Sequence, residues 1–312
     1  MISCISAQNK SSNEGEVKEC FDGNEYSFRR LRLESNYANY LIEKRSNVHT
    51  FLIPGNEIEE IIPYLDYERT KVFSKLTDCA PQISDLDGLD QYYNHMLIIN
   101  PLNNDLIGAQ RLRFNYIDKN YNHKHSYLEH SNEGIHNKLI SLKRDYAEIG
   151  RTFVTSNYRN KLWLKELIRG FIRIPEALGI KYAYGMVSFN HLIINEKTTC
   201  KFLNSLEKSS FVGDLEFFTK NKYSNDISFE WDLVDLRQLE TKLQQFDLNF
   251  KIPTVLYLYR LYCNVNYECF SIAKSYNKIM QLLFSGNLSN LNSERCRRLN
   301  KYNINSSIYR DN

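Results

Sequence analysis

The stretch AEIGRTFVTSNYRNKLWLKELIRGF, residues 147–171, decides the fold. Its beginning, within residues 146–154, predicts a β-strand that carries Glu148 and Arg151 three positions apart. In a regular strand, side chains at that spacing point to opposite faces. Gly150 between them permits a β-bulge, which would turn both side chains toward one cleft. A bulge also frees a backbone N–H, a donor suited to the oxyanion of a thioester.

The second half of the stretch predicts an amphipathic helix over residues 160–174, followed by a strand at 181–189. One face of this helix is apolar and carries Leu164, Leu167, Ile168, Phe171 and Ile172. A helix that crosses between two strands of one sheet makes them parallel neighbours. We therefore expect a splayed parallel pair with a cleft between the strands. The free N–H groups at the start of the helix, with Arg159 and Lys161, are suited to the phosphate of a phosphopantetheine arm.

Other strand and helix signals alternate along the chain. Strands are predicted at 25–33, 95–100, 106–114 and 266–272, and helices at 57–76 (with a break or kink at Pro63), 195–209, 233–246 and 253–262. This order predicts an α/β (α+β) fold with a mixed central sheet and helices on both faces. A single domain over 25–285 is expected, between a loose polar tail at 1–24 and a polar, basic tail at 286–312. The second tail is either solvated or a weak anchor for anionic lipid or an acidic partner.

Composition narrows the class of protein. The 312 residues are 42% hydrophobic and 25% charged, typical of a globular protein with a real core, and the net charge of +3 is too small to indicate a nucleic-acid partner. The H-x-H at His123 and His125 lacks further ligands, so we expect an exposed loop and no metal site. Neither a signal peptide nor an apolar span of ~18–20 residues is predicted. A cytoplasmic protein follows, with any membrane contact peripheral and on the inner face.

Glu148-Ile149-Gly150-Arg151-Thr152-Phe153-Val154, followed by Tyr158-Arg159, resembles the signature of the ornithine lipid synthase and N-acyl amino acid synthase (hemolysin-like acyltransferase) group of the GNAT superfamily. Further blocks follow in the family's order: YERTKVF with Arg69 and Phe73, DLDGLDQYYNHMLII with Asp87, Asp90 and His95, IGAQRLRF with Gly108 and Arg111, YGMVSF with Ser188, and IPTVLYLYRLY. The order of Arg, Asp–Asp, Arg and Glu-x-x-Arg is also similar to acyl-homoserine lactone synthases.

The resemblance implies transfer of a long acyl chain from an acyl-carrier-protein or CoA thioester to the amine of an amino acid or small amine, with no permanently bound cofactor. The product would be an acyl amino acid or aminolipid. Tyr158-Arg159-Asn160-Lys161 replaces the usual glycine-rich GNAT phosphate loop, which favours acyl carrier protein as donor, steered by Arg159, Lys161, Lys165 and Arg169. The alternatives are an autoinducer synthase that uses S-adenosylmethionine, or a non-catalytic module that binds an acyl carrier or lipid. The presence of Glu148 argues against the second.

The resemblance also suggests roles for single residues. Glu148 is either the general base or half of a structural ion pair with Arg151, and Arg151 either orients Glu148 or holds the acceptor's carboxylate. Ser188 either protonates the departing thiolate, bonds the pantetheine amide or is an ordinary strand serine. Donor binding is assigned to Phe153, Val154, Tyr158, Arg159, Asn160 and Lys161. The acceptor clamp, or else a salt-bridge network, is assigned to Arg69, Asp87, Asp90 and Arg111. His95 is expected to be a core histidine.

Overall fold

A computed structural model describes residues 28, 31–77, 84–116, 123–131, 135–189, 198, 202, 236–263, 265–273, 279–291 and 293–310. Eight strands of these residues form one sheet: β1 (Leu41–Arg45), β2 (Val48–Ile53), β3 (Asn94–Asn100), β4 (Asp105–Asn115), β5 (Tyr146–Val154), β6 (Tyr182–Phe189), β7 (Asn266–Ala273) and β8 (Ile279–Asn287). Their order is β1-β2-β3-β4-β5-β6-β8-β7. Neighbours are antiparallel except β5 and β6, which are parallel.

Four helices of the described residues, at 62–77, 161–177, 236–243 and 254–263, lie where the sequence predicts them, and five short helices were not predicted. In chain order the helices are α1 (Leu33–Asn36), α2 (Ile62–Thr77), α3 (Tyr127–Ser131), α4 (Ile135–Ser141), α5 (Lys161–Ala177), α6 (Leu236–Leu243), α7 (Thr254–Cys263), α8 (Ser293–Arg297) and α9 (Ser307–Arg310). Most of the helix predicted at 195–209 lies outside the described residues. Pro63 is the second residue of α2, where its missing N–H has no intrahelical partner to lose, so the predicted break within this helix is wrong.

Helices cover both faces of the sheet, as predicted. Alternate residues of β3 enter two different cores: Met96 clusters with Phe171 of α5, whereas Leu97 clusters with Leu65 of α2. On the α2 face, a smaller cluster packs α3 and α4 against Tyr146 of β5 and its neighbours. Strand periodicity thus assigns one face to α5 and the opposite face to α2, α3 and α4.

The parallel pair separates part-way along its length. β5 and β6 are paired only from Tyr146 with Tyr182 to Ile149 with Gly185, and beyond that point they continue without pairing with each other. A Cβ on Gly185 would lie 2.6 Å from the Phe284 ring of β8, so glycine lets β8 pack closely where the strands part. The predicted parallel pair that splays apart is confirmed.

A β-bulge turns Arg151 toward the same face as Glu148. Ala109 is opposite Phe153 and Arg111 is opposite Gly150, so β5 has one more residue here than β4. The bulge was predicted, but the left-handed residue is Arg151, with φ 51°, and not the glycine. A non-glycine residue in this conformation costs roughly 1–2 kcal/mol, and the ion pairs of Arg151 described below hold it there.

Several boundaries differ from the prediction. The described end of the first predicted strand, 31–33, is not a strand, and Leu33 begins α1. The sheet instead starts with the β1–β2 hairpin, which was not predicted. The predicted closing strand is β7, at the sheet edge, while the unpredicted β8 lies between β6 and β7. In β8 a nearly continuous apolar run, without clear alternation, conceals a strand that is covered on both faces.

The C-terminal segment, residues 293–310, is packed against the core, whereas the sequence predicted either a solvated tail or a weak anchor. Its buried side chains are Cys296, Leu299, Tyr302 and Tyr309. The Asn303 N–H donates to the Ile42 carbonyl at 3.0 Å, and the Tyr309 hydroxyl donates to the Leu52 carbonyl at 2.6 Å. The polar composition hid a buried stripe at Cys296, Leu299 and Tyr302, which are three residues apart. Residues 1–24, the other predicted tail, lie outside the described residues.

Candidate active site

Glu148 lies on β5 next to the last residue paired with β6, and only 2% of it is exposed. Three neutral donors converge on its carboxylate. The Tyr93 hydroxyl donates to Oε1 at 2.5 Å, the Leu128 N–H to Oε1 at 2.9 Å, and the Ser126 hydroxyl to Oε2 at 2.7 Å. These bonds fix the carboxylate at the root of the cleft.

The same donors tie the start of α3 to β5. The Tyr127 N–H donates to the Tyr93 hydroxyl at 2.9 Å, and the Glu129 N–H donates to Ser126 Oγ at 3.3 Å. Ser126 therefore caps α3 by accepting the Glu129 N–H, and Glu148 accepts the Leu128 N–H of the same first turn. Burial, with the charge of Glu148, raises the pKa of Tyr93 well above its usual value, so its hydroxyl remains a donor. Glu148 thus anchors α3 as well as facing the cleft.

The residues predicted to clamp the acceptor form a buried ion network, together with Asp85 and Arg151. Its contacts are Arg69 with Asp90 at 2.7 Å, Arg111 with both oxygens of Asp87 at 2.8 and 2.7 Å, and Arg151 with Asp87 at 3.2 Å and Asp85 at 3.5 Å. Arg69 and Arg111 are each 1% exposed. Among the described residues, the ion pairs of Arg151 are with these aspartates, so the alternative of a structural ion pair between Arg151 and Glu148 is not the arrangement observed. The alternative of a salt-bridge network is the arrangement observed.

The arginines keep two of these aspartates ionised. Burial alone would raise the pKa of Asp87, but the hydrogen bond and charge of Arg111 outweigh burial and lower that pKa below its usual value. The pKa of Asp90 is lowered in the same way, with burial outweighed by the charges of Arg69 and Arg111. Three guanidinium groups therefore balance the carboxylates in this part of the molecule.

His95 belongs to the same network as a neutral side chain. Its Nε2 lies 2.9 Å from the Asp90 carbonyl oxygen and its Nδ1 lies 3.5 Å from Nη2 of Arg69. These partners suit a ring whose proton is on Nε2. Burial lowers the pKa of His95 to about 4, opposed by the charge of Asp90 and assisted by that of Arg69. The prediction of a core histidine is confirmed.

On the other wall of the cleft, Ser188 of β6 is exposed. Gln281, its partner on β8, donates from Nε2 to Ser188 Oγ at 3.2 Å and to the Tyr127 hydroxyl at 2.9 Å. The Tyr127 ring lies 5.8 Å from the guanidinium carbons of Arg111 and Arg151. Tyr127 therefore connects the ion network with the Ser188 wall of the cleft.

The side chains predicted to bind the donor have varied surroundings. Phe153 is buried and packs on Phe73, and the Tyr158 hydroxyl is hydrogen-bonded to Asn100 and Asp105 in the β3–β4 hairpin. Val154 is half-buried against the α5 core, and Lys161 begins α5, its side chain lying outside what the structure describes.

Around the start of α5, the Asn160 side chain accepts from the N–H groups of Leu162 and Trp163, so it occupies donors that were expected to hold a phosphate. Arg159 and Lys165 are exposed. Arg169, expected to steer a carrier protein, is buried and paired with Glu43, and that expectation is wrong.

Sequence reasoning missed the residues that hold this site together: Tyr93, Ser126, Tyr127 and Gln281. Residues 118–137 were expected to be an exposed loop because they are polar, yet Ser126 and Leu128 are buried. A serine three residues before an acidic one, at 126 and 129, is a cap signal that would have indicated the start of α3. Gln281 was missed together with its strand.

In the part of the chain that the structure describes, no group of three or more His, Cys, Asp and Glu residues is arranged to hold a metal ion. Within the same residues, no helix is both long and apolar enough to span a bilayer.

Residues 69–169 match the model of the acetyltransferase (GNAT) domain. They run from the first arginine of the ion network to Arg169 of α5 and include Glu148, both ends of the bulge and the start of the cleft. The match confirms the predicted GNAT fold, and it confirms the prediction of an acyltransferase. Donor and acceptor are not specified by it. No curated protein gives a significant match.

Solved structures similar to this chain include three acyl-transferring enzymes. MesI, a CoA-dependent acyl-homoserine lactone synthase, is 11% identical over 80% of this chain and 93% of its own, with a TM-score of 0.40. BjaI, another such synthase, is 15% identical over 46% of this chain and 66% of its own, with a TM-score of 0.32. FeeM, an N-acyl amino acid synthase from uncultured soil microbes, is 7% identical over 50% and 76%, with a TM-score of 0.30. Nothing about the substrate follows from likenesses this distant.

Proposed function

We propose that the chain is an N-acyltransferase of the ornithine lipid synthase and N-acyl amino acid synthase group. It would move a long acyl chain from a carrier-protein or CoA thioester to the amine of an amino acid or small amine. The observation that carries the proposal is Glu148, a buried carboxylate at the root of the splayed cleft whose partners among the described residues are neutral donors. A charge that is hydrogen-bonded but not paired attracts a cation such as the acceptor's ammonium group.

In the proposed reaction the ammonium group gives up a proton and the neutral amine attacks the thioester carbonyl carbon. After the attack the nitrogen releases a second proton to water, the carbonyl re-forms, and the C–S bond breaks with its electron pair leaving on the sulfur. Glu148 is the proposed base, and Ser126 is suited to relay the proton because its hydroxyl already donates to Oε2. Ser126 would accept the amine's proton while passing its own to Glu148. General base catalysis contributes typically ~10²–10⁴-fold.

The ion network has a different proposed role. Its buried arginines are matched by aspartates, so they are poorly placed to bind a second carboxylate from the acceptor. Arg151 is proposed to act through α3, since it lies under the Tyr127 ring, rather than by a direct bond to Glu148.

Replacing Glu148 by Gln tests the base. The amide oxygen can still accept from Tyr93 and Leu128, and its nitrogen can donate to Ser126, so the variant should fold. We expect kcat to fall by ~10²–10⁴-fold, and the deficit to shrink as pH rises because more acceptor is already neutral. Turnover and melting temperature are measured on one preparation, with the exposed Glu59→Gln as control. A folded variant with unchanged turnover would exclude Glu148 as the base.

The proposed donor is tested by competition between acyl carrier protein and CoA thioesters of the same chain. Arg159 and Lys165 are exposed near the start of α5, where an acidic carrier would be attracted. We expect the carrier thioester to react faster and its advantage to shrink with added salt. Faster turnover of the CoA thioester would refute the carrier protein as the preferred donor but not the acyl transfer itself. Mass spectrometry of the amide product identifies the acceptor, and an acyl-homoserine lactone from S-adenosylmethionine would indicate the autoinducer alternative.

A further inference from the structure

Gln281 is 5% exposed, and its side chain lies between two hydroxyl groups. The amide nitrogen lies on the side of the two hydroxyls: Nε2 donates to the Tyr127 hydroxyl at 2.9 Å, and that hydroxyl also lies 3.2 Å from Oε1. The second hydrogen on Nε2 is then directed at Ser188 Oγ, 3.2 Å away. Ser188 is therefore an acceptor toward Gln281.

A hydroxyl that accepts from a buried amide keeps its own proton for another partner. Ser188 is exposed on β6 beyond the point where the strands part, so that partner lies on the cleft side. Accepting a hydrogen bond also strengthens a hydroxyl as a donor. Glu148 and Ser188 are on opposite walls of the cleft, one with acceptor oxygens and the other with a donor hydrogen.

We propose that Gln281 is a positioning residue that directs the Ser188 hydroxyl into the cleft as a hydrogen-bond donor to the departing sulfur. The inference rests on the proposed acyl transfer. As the C–S bond breaks, its electron pair and a negative charge collect on sulfur, and the Ser188 O–H bonds to that charge. Ser188 keeps its proton, and the thiolate later takes a proton from water. Gln281 itself touches no substrate.

Gln281→Glu is the decisive variant because it preserves shape and reverses hydrogen bonding. A carboxylate only accepts, so the Ser188 hydroxyl would turn inward to donate to it and be lost to the cleft. We expect kcat to fall on the order of 10²-fold, the loss seen for one donor to a developing charge, with KM for the amine unchanged. Ser188→Ala should show the same loss, and the double variant should be no slower than either single one.

The leaving group separates this role from a structural one. Thioesters of aryl thiols expel a thiolate that needs little help, so both variants should regain most of their activity with them. Gln244→Glu is the matched control, since Gln244 donates from Nε2 to the Phe250 carbonyl at 3.0 Å, in a part-buried site on the α6–α7 connection. Loss of this hydrogen bond in Gln244→Glu should lower the melting temperature. The dependence of kcat on the leaving group should stay as in the unmodified protein.

If Gln281→Glu does not fold, Gln281→Leu tests the same point, because it removes the N–H that donates to Ser188 and should give a loss of kcat that is regained with aryl thioesters. Full activity of a folded Gln281→Glu protein would overturn the proposal, since it would mean that the amide oxygen faces Ser188. Losses that multiply in the double variant, or that persist with aryl thioesters, would overturn it as well. If the unmodified protein transfers no acyl group to any amine, the proposed function fails, and this inference fails with it for that separate reason.

Discussion

Two buried polar clusters lie side by side on the α2 face of the sheet, and they handle negative charge differently. In the ion network, each aspartate faces one or two guanidinium groups. In the cluster around Glu148, the described partners are two hydroxyls and one backbone N–H. Paired charges stabilise a structure and are already neutralised. The carboxylate of Glu148 is held by neutral donors, so no cation among the described residues is paired with it.

Tyr93 belongs to both clusters. Its ring lies 4.5 Å from the guanidinium carbon of Arg111, and its hydroxyl donates to Glu148. The ion network therefore sets the position of a group that orients the carboxylate. The first cluster serves as a rigid support for the second, which is the pattern expected when a reactive group is held by packed neighbours.

Removing Arg111 should disrupt the ion network and give the largest loss of stability. Arg111→Met leaves Asp87 and Asp90 buried with fewer counter-charges, and loss of one partner of a buried pair costs ~3–5 kcal/mol. Urea unfolding should show this loss in the free energy of unfolding. The control is Arg298→Met, since Arg298 is exposed and paired with Glu294 at 3.0 Å, a contact worth ~0.3–0.5 kcal/mol. Similar losses in both variants would contradict a supporting role for the network.

Acid should destabilise the ion network because His95 belongs to it. The ring is neutral when folded, with a pKa of about 4, and its ordinary pKa is 6.5. Between these values the unfolded chain binds a proton that the folded protein does not, so stability is full above pH 6.5 and falls as pH drops toward 4. The expected loss is on the order of 3 kcal/mol. His95→Asn should remove most of that slope in unfolding curves from pH 7 to 4.5, and an unchanged slope would show that His95 titrates normally.

The core of the site could be predicted from sequence because it is local. Glu148, Gly150 and Arg151 share one strand, and the helix and strand that follow dictate the parallel pair and its cleft. The partners of Glu148 could not be predicted in this way. Ser126 lies in a polar segment, where the sequence pattern does not distinguish a buried serine from an exposed one. Gln281 meets Ser188 only because β8 inserts between β6 and β7, and no local pattern indicates an insertion of that kind.

The C-terminal segment has a consequence for how the molecule is made. The Tyr309 hydroxyl bonds the carbonyl of Leu52, a contact that spans 257 positions in sequence. On a ribosome, β1 and β2 emerge long before the segment that covers them. The apolar surface of the β1–β2 hairpin therefore stays exposed until the C-terminal segment has been synthesised. Contacts between residues so distant in sequence also form slowly. We therefore expect the nascent chain to depend on chaperones until residue 309 is free, so that assembly of the core is a late event in synthesis.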